Sequence, residues 1–286
     1  MTFAGPRRFP VYPSRRRMLH AALAGLAVVL PWGARADDLP DPETAIWKKV
    51  RRSLFENRPV ASDARGIVEL VTPVRAEDAA VVPVAIRTKI AQRPDRYIRR
   101  IYLIVDNNPS PVAAIVELTP ESGRADLETR IRIEEYTYVR AVAELSDGAL
   151  FADTRFVKAS GGCSAPAGKD PAAAAARVGR MRLAVDGRVS ADQPALAQLM
   201  ISHPNDSGLV MDQLTRHYTS AYFVRSIKVT YAGKPILTAE VDFSISENPN
   251  FRFYFLPAGD GELKAEAVDT KEVKFETRLA VRRGPG

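Results

Sequence analysis

One side chain in this 286-residue chain stands apart chemically: Cys163, the only thiol. A lone cysteine is usually buried as a small hydrophobe. Here Gly161 and Gly162 precede it, and the run from Ser160 through Ser164 to Pro171 holds no large apolar side chain with which to dock on a core. The spacing predicts a solvent-reachable thiol on a mobile Gly-Gly arm, open to oxidation and disulfide exchange. Lys158 and Lys169 lie close enough in sequence to favour the thiolate slightly. One cysteine also excludes a disulfide scaffold and any zinc cluster built on cysteine pairs.

Such a thiol can catalyse or carry. Catalysis needs a base at hydrogen-bond distance and a third group that orients the base. Beyond the N-terminal leader only His203 and His217 qualify. His203 precedes Pro204 and His217 follows Arg216, and each reads as a surface or turn histidine with no carboxylate at ligand spacing. A Gly-Gly arm also lacks the rigidity that catalytic geometry demands. Carriage suits it better, because the seven residues from Phe156 to Cys163 span about 23–25 Å when extended. No catalytic residue is assigned, no group has the spacing of a metal, haem or nucleotide site, and no cofactor is expected.

The elements that must hold this arm follow from composition and pattern. A formal charge of +7 invites a nucleic-acid reading, but Arg7, Arg8, Arg15, Arg16, Arg17 and Arg35 sit in a leader without acidic residues. That leader has a basic start, an apolar stretch over 18–30 and an Ala34-Arg35-Ala36 cleavage pattern, so it reads as an export signal over 1–36. Ser14-Arg15-Arg16-Arg17-Met18-Leu19 resembles the twin-arginine type, with an ordinary secretory signal as the alternative. Without the leader, 35 cations face 34 anions. The near-balance of charge removes the reason to expect nucleic acid, and the leader predicts export to an oxidising compartment with no stable membrane span.

In the remainder, a short amphipathic helix is expected over 43–55. Strands are expected over 67–71, 81–86, 101–105, 112–118, 127–133, 138–145 and 150–157. A second series is expected over 181–185, 196–201, 223–231, 236–245, 251–256, 262–267 and 273–281. The alternation of Ile131 and Ile133 with Arg130, Arg132 and Glu134 predicts a strand with one wet face. Two sets of short strands predict an all-β protein of two immunoglobulin-like β-sandwich domains in tandem, behind a short N-terminal helix.

At these residues the chain resembles a known family. Arg130-Ile131-Arg132-Ile133, Val139-Arg140-Ala141-Val142-Ala143-Glu144, Asp147-Gly148 and Val157-Lys158-Ala159-Ser160-Gly161-Gly162-Cys163 look like the end of SoxY. SoxY is the sulfur-carrying subunit of the periplasmic thiosulfate-oxidising system. Val82-Pro83-Val84 and Asn108-Pro109-Ser110-Pro111 agree with it. Ile201-Ser202-His203-Pro204-Asn205-Asp206-Ser207-Gly208-Leu209 and Ser244-Ile245-Ser246-Glu247-Asn248-Pro249 resemble its partner SoxZ. The whole is most similar to single-chain SoxYZ-like carriers associated with quinoprotein dehydrogenases. The resemblance implies a SoxY-like carrier domain over 37–158, a flexible linker over 159–178 bearing Cys163, and a SoxZ-like domain over 179–286. It implies covalent substrate attachment at Cys163 on an arm formed by Gly161, Gly162 and Ser164, with the SoxZ-like half bracing the carrier half. Expected partners are periplasmic sulfur-oxidation or quinoprotein dehydrogenase enzymes. One departure stands out: in SoxY two more glycines follow the cysteine and end the chain, whereas here the chain runs on. Two other functions remain open from the residues alone, a non-covalent accessory module for a quinoprotein alcohol dehydrogenase and a cysteine enzyme.

Overall fold

The computed structural model describes residues 39–56, 58–165, 175–190, 193–211 and 216–282. The leader expected at 1–36 lies outside them. From Leu39 onward the chain is one compact unit. Helix α1 (Ala45–Phe55) is capped by Thr44, whose hydroxyl oxygen accepts the Trp47 N–H at 2.9 Å. Eight strands follow in the first half: β1 (Val60–Ala61), β2 (Val68–Val71), β3 (Val82–Thr88), β4 (Ile98–Val105), β5 (Val112–Leu118), β6 (Leu127–Ile131), β7 (Thr137–Leu145) and β8 (Leu150–Val157). The second half holds β9 (Met181–Val185), β10 (Ala195–Ile201), β11 (Val224–Tyr231), β12 (Lys234–Val241), β13 (Asn250–Phe255), β14 (Gly261–Asp269) and β15 (Lys274–Val281). The all-β, tandem immunoglobulin-like architecture expected from the strand pattern is what the chain adopts. Among the described residues no helix is long and apolar enough to cross a membrane.

Both sheets run through both halves. One has nine strands in the order β1-β8-β7-β4-β5-β12-β11-β14-β15, the other six in the order β2-β3-β6-β13-β10-β9. The halves meet twice by antiparallel ladders, β5 to β12 with Val116 opposite Ala239, and β6 to β13 with Leu127 opposite Phe253. A single apolar core fills the space between the sheets, with Leu127 and Ile131 from the first half joined by Phe251, Phe253 and Phe255 from the second. The phenylalanines alternate inward along β13, as their spacing predicts.

Strand β7 is buried at all nine positions, including Arg140 and Glu144. Its second face is covered by α1, whose Trp47, Val50 and Phe55 pack over Tyr102, Ile104 and Val142. The buried charges are paired, as burial requires. Arg140 donates to Asp106 at 2.7 Å, and Glu144 accepts from Tyr102 at 2.8 Å and from Arg58 at 2.8 Å.

Of the strand ends that differ from expectation, two bear on the site. The wet-faced strand over 127–133 stops at Ile131, and Arg132 is 4% exposed instead of solvated. Its guanidinium turns inward because carbonyls of the second half are there to receive it. The strand expected to continue to Ile245 stops at Val241, and a tight corner over Asp242, Phe243, Ser244 and Ile245 replaces it. The Ile245 N–H donates back to the Asp242 carbonyl at 2.9 Å.

Candidate functional site

The arm bearing Cys163 leaves the end of β8 and folds back against the end of β6. The Lys158 N–H donates to the Val74 carbonyl at 2.8 Å, and the N–H groups of Gly161 and Gly162 donate to the carbonyls of Glu134 at 2.8 Å and Ile133 at 2.9 Å. The Glu134 carboxylate then accepts the Cys163 N–H at 2.8 Å, the Ser164 N–H at 3.2 Å and the Ser164 hydroxyl at 2.9 Å. From the second half, the Ser207 hydroxyl donates to the Cys163 carbonyl at 2.5 Å. The thiol is 1% exposed.

The expectation of a solvent-reachable thiol on a loose arm is therefore corrected over the described residues of that arm. The segment has no large apolar side chain to dock with, and it docks through its main chain instead. Gly162 makes that possible by close approach: a Cβ there would lie 2.0 Å from the Ala79 carbonyl oxygen and 2.7 Å from that of Ile133. Gly161 supplies the other special conformation, with φ at +81°. Gly161 and Ser164 stay exposed while Gly162 and Cys163 are buried. Residues 166–174, which include Lys169, lie outside the described residues.

Arg132, not a lysine, is the cation whose charge favours the thiolate. It is also a bolt between the halves. Its guanidinium donates to the carbonyls of Asn205, Phe243 at 3.3 Å and Pro204 at 3.3 Å, and its N–H donates to the Ser244 carbonyl at 2.7 Å. Asn108 ties the same corner together, donating to the Arg132 carbonyl at 2.8 Å and to the Ser244 hydroxyl at 3.0 Å. Its side-chain oxygen accepts the Glu134 N–H at 3.0 Å. Both second-half motifs singled out in the sequence, 201–209 and 244–249, thus converge on the residues around the thiol.

The two candidate histidines do not join it. His203 is 1% exposed, which corrects its reading as a surface or turn residue. Its Nδ1 accepts the Asn205 N–H at 3.1 Å, its ring packs on Tyr222 with centroids 4.4 Å apart, and its Nε2 lies 3.7 Å from Asp269 Oδ2. Burial lowers its pKa and keeps it neutral. His217 is exposed. Glu134, Ser207 and Arg132 are site residues that sequence pattern does not mark as such: Ser207 lies within the 201–209 motif, and the wet-face alternation assigns Arg132 and Glu134 to solvent. Among the described residues no group of three or more His, Cys, Asp or Glu is placed to hold a metal ion.

Burial is the largest influence on the thiol, with the nearby Glu134 charge acting in the same direction and Arg132 opposing; the pKa rises from 9.0 to about 12. Since the thiolate is the nucleophile, alkylation of Cys163 by iodoacetamide should speed up tenfold per pH unit from 7 to about 11, with no plateau near 9. A plateau at the ordinary value would show that the arm is undocked most of the time. The elevated value belongs to the folded state, so docking is at full strength below pH 9.0 and weakens as pH climbs toward about 12.

Residues 51–163 match the family model described as sulfur oxidation protein SoxY, and residues 182–280 match that of sulphur oxidation protein SoxZ. No curated protein matches the chain. Among solved structures, the superoxide reductase (neelaredoxin) from Ignicoccus hospitalis is 11% identical with a TM-score of 0.31, over 35% of this chain and 94% of that one. A glycosyl hydrolase family 2 member from Bacteroides cellulosilyticus is 13% identical with a TM-score of 0.23, over 81% of this chain and 30% of that one.

Proposed function

Because the chain belongs to the SoxYZ-like fusions, a SoxY domain followed by a SoxZ domain in one polypeptide, we propose that it is a covalent carrier. Cys163 holds a sulfur-containing or other thiol-reactive intermediate and presents it to partner enzymes, in the periplasm to which the leader would send it. One observation carries this reading: the only thiol is the last residue of the SoxY match and is gripped by both halves, by Glu134 from the first and Ser207 from the second. A structural cysteine needs no glycine slot and no carboxylate aimed at its N–H. Gly161 and Gly162 give the arm the slenderness to enter a partner's pocket once released, and the SoxZ half provides the surface on which it rests between visits.

The chemistry asked of the protein is modest. In the docked state no histidine among the described residues acts on the sulfur, so activation comes from release into water or into a partner's site, where the thiol regains its ordinary acidity. The partner supplies the catalytic groups. SoxY and SoxZ are carrier and accessory proteins, in keeping with this division of labour.

A second reading is favoured by the burial of the thiol itself: an accessory module for a periplasmic quinoprotein alcohol dehydrogenase, in which Cys163 merely fills space. Intact mass separates the two. Protein taken from its native periplasm is expected to include a fraction heavier than the bare chain, restored to the bare mass by dithiothreitol, and Cys163→Ser should show neither the adduct nor function. Uniformly unmodified protein under every growth substrate, with full function in Cys163→Ser, would leave the accessory reading standing and remove the carrier.

A further inference from the structure

A buried thiol cannot be loaded or unloaded where it lies, so the docked arm must have a release. Taking Cys163 as the attachment site, we propose that Glu134 is the positioning residue that latches the arm while the sulfur is bare, and that an anionic group on the sulfur opens the latch.

Four hydrogen bonds of the arm end on this one residue. Its carbonyl holds the Gly161 N–H, and its carboxylate holds the Cys163 N–H, the Ser164 N–H and the Ser164 hydroxyl. Contacts gathered on a single residue, three of them on one carboxylate, are lost together, which makes the arm a two-position element. Apart from Glu134 the grip on Cys163 is slight: the Ser207 hydroxyl on its carbonyl.

The same carboxylate that fastens the main chain is a poor neighbour for a charged sulfur substituent. Glu134 and Asp242 both act on the Cys163 sulfur as like charges, and Asp242 Oδ1 is buried without a hydrogen-bond partner. Among the described residues Arg132 is the one opposing cation against these two anions; both terminal nitrogens of its guanidinium are committed to the carbonyls of Asn205, Phe243 and Pro204, and only its Nε is buried without a hydrogen-bond partner. A neutral thiol feels little of this field. A thiosulfonate, persulfide or carboxylate attached to the buried sulfur feels all of it, where screening by water is reduced. The loaded arm is driven out to where partners reach it, and the emptied arm returns to Glu134. Occupancy of the sulfur thereby controls its own exposure.

Two adducts of nearly equal size isolate the charge. Iodoacetamide and iodoacetate each form an S–C bond to Cys163 as the thiolate displaces iodide, the thiol proton passing to buffer. The products are a neutral carbamidomethyl and an anionic carboxymethyl group. Hydrogen exchange at the amides of Gly161, Gly162, Cys163 and Ser164 in the full chain reads the latch. Exchange is expected at least about tenfold faster in the carboxymethyl protein than in the carbamidomethyl protein. In Glu134→Gln, which keeps the size and one acceptor but not the charge, the ratio should fall below about threefold. Equal rates in the two adducts, or a ratio unchanged in Glu134→Gln, would overturn the proposal. Neither result depends on the native cargo, so this idea and the carrier reading fail separately.

Discussion

Replacing Gly162 with alanine should expose the thiol: at pH 8 the rate of Cys163 alkylation is expected to rise about 100-fold. The new Cβ would sit 2.0 Å from the Ala79 carbonyl oxygen, and that oxygen cannot retreat, because it also accepts the Ile133 N–H at 2.9 Å. The clash is between main-chain atoms on both sides, so no rotamer change relieves it. The arm must leave its slot and surrender its bonds to Ile133 and Glu134. Release returns the thiol from about 12 toward 9.0, a factor of about 1,000 in thiolate fraction. The observed gain is smaller because the wild-type arm already opens part of the time. The apolar core between the sheets is untouched, so the thermal midpoint should move by only about 1–3 °C. An unchanged alkylation rate would mean that the arm has another way to dock. A large fall in midpoint would mean that the arm supports the whole fold.

Replacing Arg132 with alanine is expected to show the opposite balance, a large loss of stability of about 3–5 kcal/mol. The guanidinium, itself buried, donates to three carbonyls of the second half, that of the buried Asn205 and those of the half-buried Phe243 and Pro204. Removing it leaves those acceptors unsatisfied and opens a void where the two halves meet. For a chain of this size the thermal midpoint should fall by roughly 10 °C, measured calorimetrically. Arg132→Lys should recover only part of the loss, since one ammonium cannot span acceptors that a planar fork reaches. If alanine were tolerated with no change in midpoint, the strand ladders, the shared core and the Asn108 bonds would hold the seam without Arg132.

The sequence revealed the fold well, and for a definite reason. Strands with one face on a core carry a two-residue period that tertiary context rarely hides, and the runs from Val112 to Leu118 and from Leu150 to Val157 end where the pattern says they do. The continuity of the sheets across the halves was not legible, because a ladder between β5 and β12 leaves no local mark on either strand. The thiol itself was legible as the centre of interest, but its setting was read in reverse. A stretch without large side chains looks unable to bind anything, whereas glycine removes the obstacle to main-chain contact and Glu134 waits in the first half to accept it. Arg132 was misread for a related reason: alternation assigns a face, and only the neighbouring half decides whether that face is wet.

The two shared sheets bear on how the protein behaves when it is scarce. Where SoxY and SoxZ are separate chains, their union depends on how much of each is present, and dilution parts them. Here one polypeptide runs through both ladders, so each half meets the other at an effective concentration fixed by the chain and independent of expression level. A half that has lost its neighbour finds the same one again. Ser207, which closes over Cys163, is therefore supplied in a strict ratio of one to one.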